Sequence, residues 1–233
     1  MSTEKNSWIA VVAKYSTPDL RRSIWQLVNT LVPYAVLFYL SMRSMEISLW
    51  LTIPLTLLTA GFMARTFIIF HDCGHGSFFK SKTANIWAGR VTGLLVFTPY
   101  YRWAHDHAIH HATAGDLDRR GTGDVYTMTV EEYLAAPWWK KFGYRVMRNP
   151  IALFIFGSLI VFVVTQRIPP LKDRHERASV WWTNLSLVVM ITTMCLLFTW
   201  QAYVTVQLLV LSFRASAGAP LCYVQHNFEP TYR

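Results

Sequence analysis

Charge is the first thing this chain lacks. Only 15% of its 233 residues are Asp, Glu, Lys or Arg, against about 25% in a soluble domain. Hydrophobic residues make up 53%, and the mean hydropathy is +0.26. A soluble globular domain is therefore excluded. Acidic residues are the scarcer sign, 13 against 22 Lys and Arg, for a net charge of +9. The basic residues gather between the apolar runs, as the positive-inside rule requires of a membrane protein. The excess consequently implies no nucleic-acid partner. Cysteine is also scarce: Cys73, Cys195 and Cys222 have no paired short spacing, which excludes a disulfide framework and argues against a thiolate metal site. No internal repeat or low-complexity tract is present. The first residues are polar, without an early apolar core and small-residue cleavage site, so no cleavable signal peptide is read.

What the chain has is long apolar runs, and the expected fold is an all-α, polytopic integral membrane helical bundle, one domain over residues 1–233. Thr17-Pro18-Asp19 reads as a helix start, with Thr17 as cap. Spans are expected at 24–42 and 47–70, joined by a short turn at 43–46. The second run is 24 residues, roughly 36 Å as helix, enough for a bilayer core of about 30 Å. Residues 71–150 are mixed. Within them 86–101 reads as an interfacial helix, 114–125 as a loop, and Trp138, Trp139, Lys140 and Lys141 as an interfacial anchor. Three apolar runs follow, 151–165, 180–200 and 202–224. The basic loop 166–179 prefers the cytoplasm, which makes 151–165 re-entrant or interfacial and pairs 180–200 with 202–224 as crossings. All Lys and Arg except Arg43, Arg65 and Arg214 then lie on the cytoplasmic side. Arg214 opposes this arrangement, because a charge at mid-span costs about 2.5–3.5 kcal/mol. The alternative makes 151–165 and 180–200 the crossing pair.

Seven of the eight histidines fall in three signatures, HDCGH at 71–75, HDHAIHH at 105–111 and QHNFE around His226. Imidazole is the commonest protein metal ligand. His71 and His75, four apart, share one helix face. His107, His110 and His111 are spaced so that His110 and His111 diverge by about 100° with His107 between them, which suits two neighbouring ions better than one. The first signature ends an apolar span, which places a metal site at the membrane boundary beside lipid. His226 can join it only if the chain crosses the membrane an even number of times after His111.

These stretches resemble the membrane-bound fatty acid desaturase family, particularly bacterial acyl-lipid desaturases. HDCGHGSFF (71–79) is similar to its first histidine box. HDHAIHHATAGDLDRRGTGDVYTMTVEEY (105–133) is similar to its second box and the loop after it. YVQHNFE (223–229) is similar to a region with a further ligating histidine, and TPDLRRSIWQL (17–27) to the lead-in to the first span. The resemblance implies a non-haem centre of two iron ions, with dioxygen as co-substrate, that introduces a double bond into a fatty acyl chain of a membrane lipid. It implies His71, His75, His107, His110, His111 and His226 as ligands. It also implies a ferredoxin-like or cytochrome electron donor and a place in the bacterial inner membrane, with the histidine-rich cap on the cytoplasmic side. The family's third HxxHH box, downstream of QHxFE, does not occur before Arg233. A C-terminally truncated chain, inactive as it stands, is the expectation.

Around the ligands, Asp72 and Asp106 are placed to orient imidazoles, or are ordinary surface acids. His105 lies just outside the HxxHH pattern, beside the ligands. Trp103 lines an acyl channel or anchors at the interface. His175 reads as a solvated loop residue. Two other readings remain open. One is a different oxidation on the same histidine scaffold, carotenoid ketolation or hydroxylation, or alkane hydroxylation. The other is a haem- or metal-handling membrane protein, disfavoured because the histidines cluster at span ends rather than facing each other within spans.

Overall fold

The structure, a computed structural model, describes residues 13, 17–113, 116–119, 121, 125–157, 159–170 and 173–226, with side chains to 216 except at 154 and 155. The described residues are helical, with no strand among them. Helix α1 (Leu20–Ser44) opens at Asp19, whose carboxylate accepts from the Arg22 N–H at 2.9 Å. The cap is thus Asp19 and not Thr17. Pro18 stands before the cap, where its preference for extended neighbours does no harm.

Helix α2 (Leu49–Gly74) folds back on α1. Its buried positions include Thr52, Thr56, Thr59, Met63, Thr66, Phe70 and Cys73, spaced alternately four and three apart, which is the seam of two helices crossing at a shallow angle. The threonines bring the helices close. Thr59 meets Ser41 at 3.2 Å and Thr52 meets Ser44 at 2.9 Å. Each of these threonine hydroxyls also donates to a carbonyl one turn back, so none needs water. Further along, Arg65 donates to Asn29 at 3.1 Å and Ser23 to the Phe78 carbonyl at 2.6 Å. The hairpin is thereby fastened from end to end.

The chain turns after α2 on the Asn85 side chain, whose amide donates to the carbonyls of Gly76, Phe79 and Ser81 and accepts from the Phe79 N–H. Helix α3 (Lys82–Leu95) follows, then α4 (Tyr100–Thr113). The interfacial helix expected over 86–101 therefore ends at Leu95. Phe97, at φ 59°, and Pro99 break it, and Tyr100 and Tyr101 start the next helix. Beyond a 3-10 turn at Leu117–Arg119 come α5 (Val130–Ala135), held by a Thr129–Glu132 capping box, and α6 (Trp138–Arg148). The apolar run from 151 winds with π-helical hydrogen bonds over Ala152–Gly157 and Ile160–Val164. It ends at Arg167, which donates to Asn184 and to the Phe97 carbonyl.

Two long helices complete the bundle, α7 (Arg174–Leu197) and α8 (Trp200–His226). Their directions follow from their contacts. The start of α7 meets α4, where Ser179 accepts from the Tyr101 N–H at 3.2 Å. Its far end reaches Tyr39 near the end of α1, through Phe198 at 6.0 Å. Helix α8 passes Phe38 at Tyr203 and reaches Phe67 at Arg214, so it runs parallel to α2, and its His226 end points toward the end of the bundle that holds His71. Helices α1, α2 and α7 are long and apolar enough to cross a membrane, and their outward faces carry bare Trp25, Val32, Leu57, Ile68, Trp182 and Val188.

Close backbone approach is needed where α3 returns over α2. A Cβ at Gly93 would stand 2.6 Å from the Thr98 carbonyl oxygen and 2.9 Å from the Phe70 ring, whereas one at Gly61 meets nothing within 4 Å. Gly93→Ala is expected to destabilise the bundle by about 1–3 kcal/mol. Gly61→Ala, in mid-helix, should be neutral or stabilising by up to about 1 kcal/mol. Thermal unfolding of the two variants in detergent checks the difference; equal midpoints would contradict the packing.

Candidate metal centre

Helices α2 and α4 meet end to side. The Tyr100 hydroxyl donates to the Cys73 carbonyl at 2.8 Å. The Trp103 ring lies over Gly74, so close that a Cβ there would stand 2.8 Å from it. Trp103 also packs on Phe70 at 4.7 Å and Phe67 at 5.7 Å. This junction brings the last turn of α2, with His71 and the capping residue His75, against the face of α4 that carries His107 and His111.

The result is four imidazoles pointing inward. His107 Nε2 lies 3.0 Å from His71 Nε2, 3.1 Å from His75 Nε2 and 3.0 Å from His111 Nε2, and His71 and His75 are 3.3 Å apart. All four donor atoms fall within 4.8 Å of one another. Two nitrogens bound at about 2.1 Å to one ion, at right angles, stand about 3.0 Å apart. The spacing is thus that of neighbouring corners of a coordination polyhedron, and the donor set fits a transition metal. Asp72 supports it from behind, with Oδ1 3.2 Å from His71 Nδ1; a proton held there leaves Nε2 as the lone-pair donor.

The remaining expected residues are placed differently. His110 is buried beside His107, ring centroids 6.0 Å apart and nearly parallel, and is not one of the four that close on a point. His226 ends α8 at this end of the bundle, but its side chain lies outside the described residues. Asp106 turns from the cluster to Arg102 at 3.7 Å, and His105 reaches α7, 3.7 Å from Glu176. Trp103, read as a channel residue or an anchor, stacks on His107 at 4.3 Å and 19°. Tyr100, Gly74 and Ser179 went unnoticed in the sequence. Gly74 had a signal, a glycine inside a histidine signature where something must approach closely. Tyr100 and Ser179 had none, since their partners are distant in the chain.

Burial and mutual repulsion disfavour the protonated form of His107, His75 and His111. The His107 pKa is pushed down to about 3, first by burial and then by His71, His111, His75 and His110. Burial also lowers His75, with His71 and His111 adding, and lowers His111, with His110 and His71 adding. Burial raises the Asp106 carboxyl, against the pull of Arg102.

An apolar helical bundle carrying a histidine cage at one end defines a class of membrane protein with a histidine cluster able to hold a metal ion. The sequence profile of the family "Fatty acid desaturase" matches residues 48–233, and the chain belongs to that family. A fatty acid desaturase of Bacillus subtilis is 45% identical over 222 residues, 95% of this chain and 63% of that protein. Two sn-1 acyl-lipid omega-3 desaturases (ferredoxin) are also similar. The Synechocystis protein is 37% identical over 38% of this chain and 25% of its own length, and the Nostoc protein 29% over 63% and 40%. The chain thus spans less than two thirds of these relatives. No solved structure matches it.

The depressed His107 pKa has a definite sign. Unfolded histidine titrates near about 6.5, so in the metal-free chain the unfolded state takes up the proton first. His107 then contributes stability that is complete above about pH 6.5 and is lost as pH falls toward its folded value of about 3. In the metal-free chain its ring ¹⁵N shifts should remain those of neutral imidazole at about pH 5. Imidazolium shifts at that pH would contradict the buried, crowded geometry.

Proposed function

We propose that this chain carries the spanning helices and most of the metal ligands of an oxygen-dependent fatty acyl desaturase acting on membrane acyl-lipids. The observation that carries the reading is the set of four Nε2 atoms at 3.0–3.3 Å, on the two histidine boxes of a family member. The reaction removes two hydrogens from adjacent acyl carbons; dioxygen, with two electrons and two protons supplied, leaves as two waters. The relatives' names support an acyl-lipid substrate and a ferredoxin-type donor.

Iron, two ions per complete protein, would be held in part by His71, His75, His107 and His111, with His110 and His226 beside them. Bound there, it supplies the activation of dioxygen. The chain's own residues prepare the place. Neutral imidazoles offer lone pairs rather than protons. Asp72 fixes the His71 tautomer. Phe67, Phe70 and Trp103 form an aromatic wall that admits an alkyl chain and keeps water from the reacting carbons. Four crossings, α1, α2, α7 and α8, with 151–165 lying back on the bundle, put the cage on the cytoplasmic side of a bacterial inner membrane. What supports this topology is the parallel run of α2 and α8 and the packing of Phe162 on Phe67 at 5.8 Å.

The test is expression of the protein with its complete reading frame in a host that lacks the product, followed by gas chromatography of its lipids and iron analysis. New double bonds and two irons per chain are expected. Hydroxylated or keto products without new double bonds would instead indicate another oxidation on this scaffold. His107→Ala and His110→Ala should each abolish desaturation, and Asp72→Ala should lower metal affinity about 10–100-fold. Wild-type iron content in Asp72→Ala would remove its orienting role.

A further inference from the structure

Helix α6 has two unlike faces, and the site described above uses neither. Trp138, Trp139, Phe142 and Val146 form one stripe at helical spacing, and they are 78%, 57%, 64% and 48% exposed. Lys141, Arg145 and Arg148 follow another stripe at the same spacing, with Lys140 beside it. Between Val125 and Gly157 the only acidic residues are Glu131 and Glu132, and Glu132 is engaged in the α5 capping box.

The basic stripe borders an open cavity of about 480 Å³ between α5 and α6, where Arg145 and Arg148 meet Tyr133, Tyr144 and Asn149. The tyrosines hold the cations in place. Tyr133 accepts from Arg145 Nε at 2.6 Å, and Arg148 lies 5.7 Å over the Tyr144 ring. A second groove, of about 450 Å³, shares Arg145 and Asn149 and continues along Val146, Ile151, Ala152 and Phe156. One arginine thus stands at the head of a groove whose far end is apolar, with Ile151 62% and Phe156 58% exposed.

We infer that α6 lies in the membrane plane and that this pair of cavities binds one anionic membrane phospholipid, its phosphate on Arg145 and Arg148 and its acyl chain along Val146, Ile151 and Phe156. The bare aromatic stripe supplies the in-plane contact of an interfacial helix. The guanidinium fork matches a phosphate, and the local charge excess selects an anionic headgroup over a zwitterionic one. A soluble anion would satisfy the arginines but leave the groove to Phe156 unused, so a lipid is the occupant that uses both halves. The inference rests on membrane placement and not on the acyl reaction.

The test is native mass spectrometry of the full chain in detergent, titrated separately with dioleoyl phosphatidylglycerol, dioleoyl phosphatidylcholine and soluble glycerol phosphate. One phosphatidylglycerol should be retained in preference to phosphatidylcholine. Arg145→Ala should weaken retention about ten-fold or more. Phe156→Asp should weaken it while leaving the headgroup residues intact. Arg43→Ala, at the far end of the bundle, should leave it unchanged. Unaltered retention in Arg145→Ala, equal retention of phosphatidylcholine, or displacement by glycerol phosphate at the same concentration as by lipid would each overturn the proposal. Should Arg145→Ala fail to fold, Phe156→Asp and the lipid comparison decide it.

Discussion

The contact of Trp103 with the bare backbone of Gly74 governs the arrangement of this molecule. Helix α2 crosses the bundle and stops; α4 approaches its end from the side. The two can come close enough for imidazole nitrogens to stand 3.0 Å apart only because the residue under the indole has no side chain. The Tyr100 hydroxyl locks the junction by donating to the Cys73 carbonyl in the last turn of α2. The same indole then stacks on His107 and leans on Phe67 and Phe70, so the cage and its apolar wall are fixed by one side chain.

Burial does a second service at the cage. Four imidazoles this close cannot all be charged, and partial desolvation deepens the preference for the neutral form. That neutrality is what a metal site needs. It comes from packing and crowding, and a flexible peptide with the same histidines would lack it. The surrounding carboxylates divide their work by position. Asp72 sits behind His71, while Asp106 is drawn to Arg102, so adjacent acids in two similar signatures end in different roles.

Much of this was legible in the sequence because it is periodic or local. Apolar length located α1, α2, α7 and α8. The i,i+4 pair His71/His75 announced a shared face, and the divergence of His110 and His111 by about 100°, with His107 between them, suits two neighbouring ions. The resemblance to the desaturase family, carried by the boxes themselves, agrees with the family match. What escaped was tertiary. Helix α2 continues past Phe70 because its last turn packs under Trp103. The break after Leu95 depends on Phe97 in the left-handed region, held by Arg167 from seventy residues away. Asp19 displaced Thr17 as cap because a carboxylate in the right place accepts from the backbone, and that geometry is not written in the run Thr-Pro-Asp alone. Trp103 reads in the sequence as an acyl-channel residue or an interfacial anchor, and its packing on Gly74 and His107 depends on neighbours that the sequence does not show.

Arg214, the residue that argued against the last helix as a crossing, is almost fully buried, with its guanidinium 4.7 Å over the Phe67 ring and 4.3 Å over that of Phe162. The rings that shelter it come from α2 and from the apolar run after Ile151, both earlier in the chain. A ribosome therefore delivers the shelter before the charge. Away from these rings the guanidinium would stand unsheltered in apolar surroundings, which is costly. The order of the segments along the chain thus places the shelter ahead of the residue that needs it.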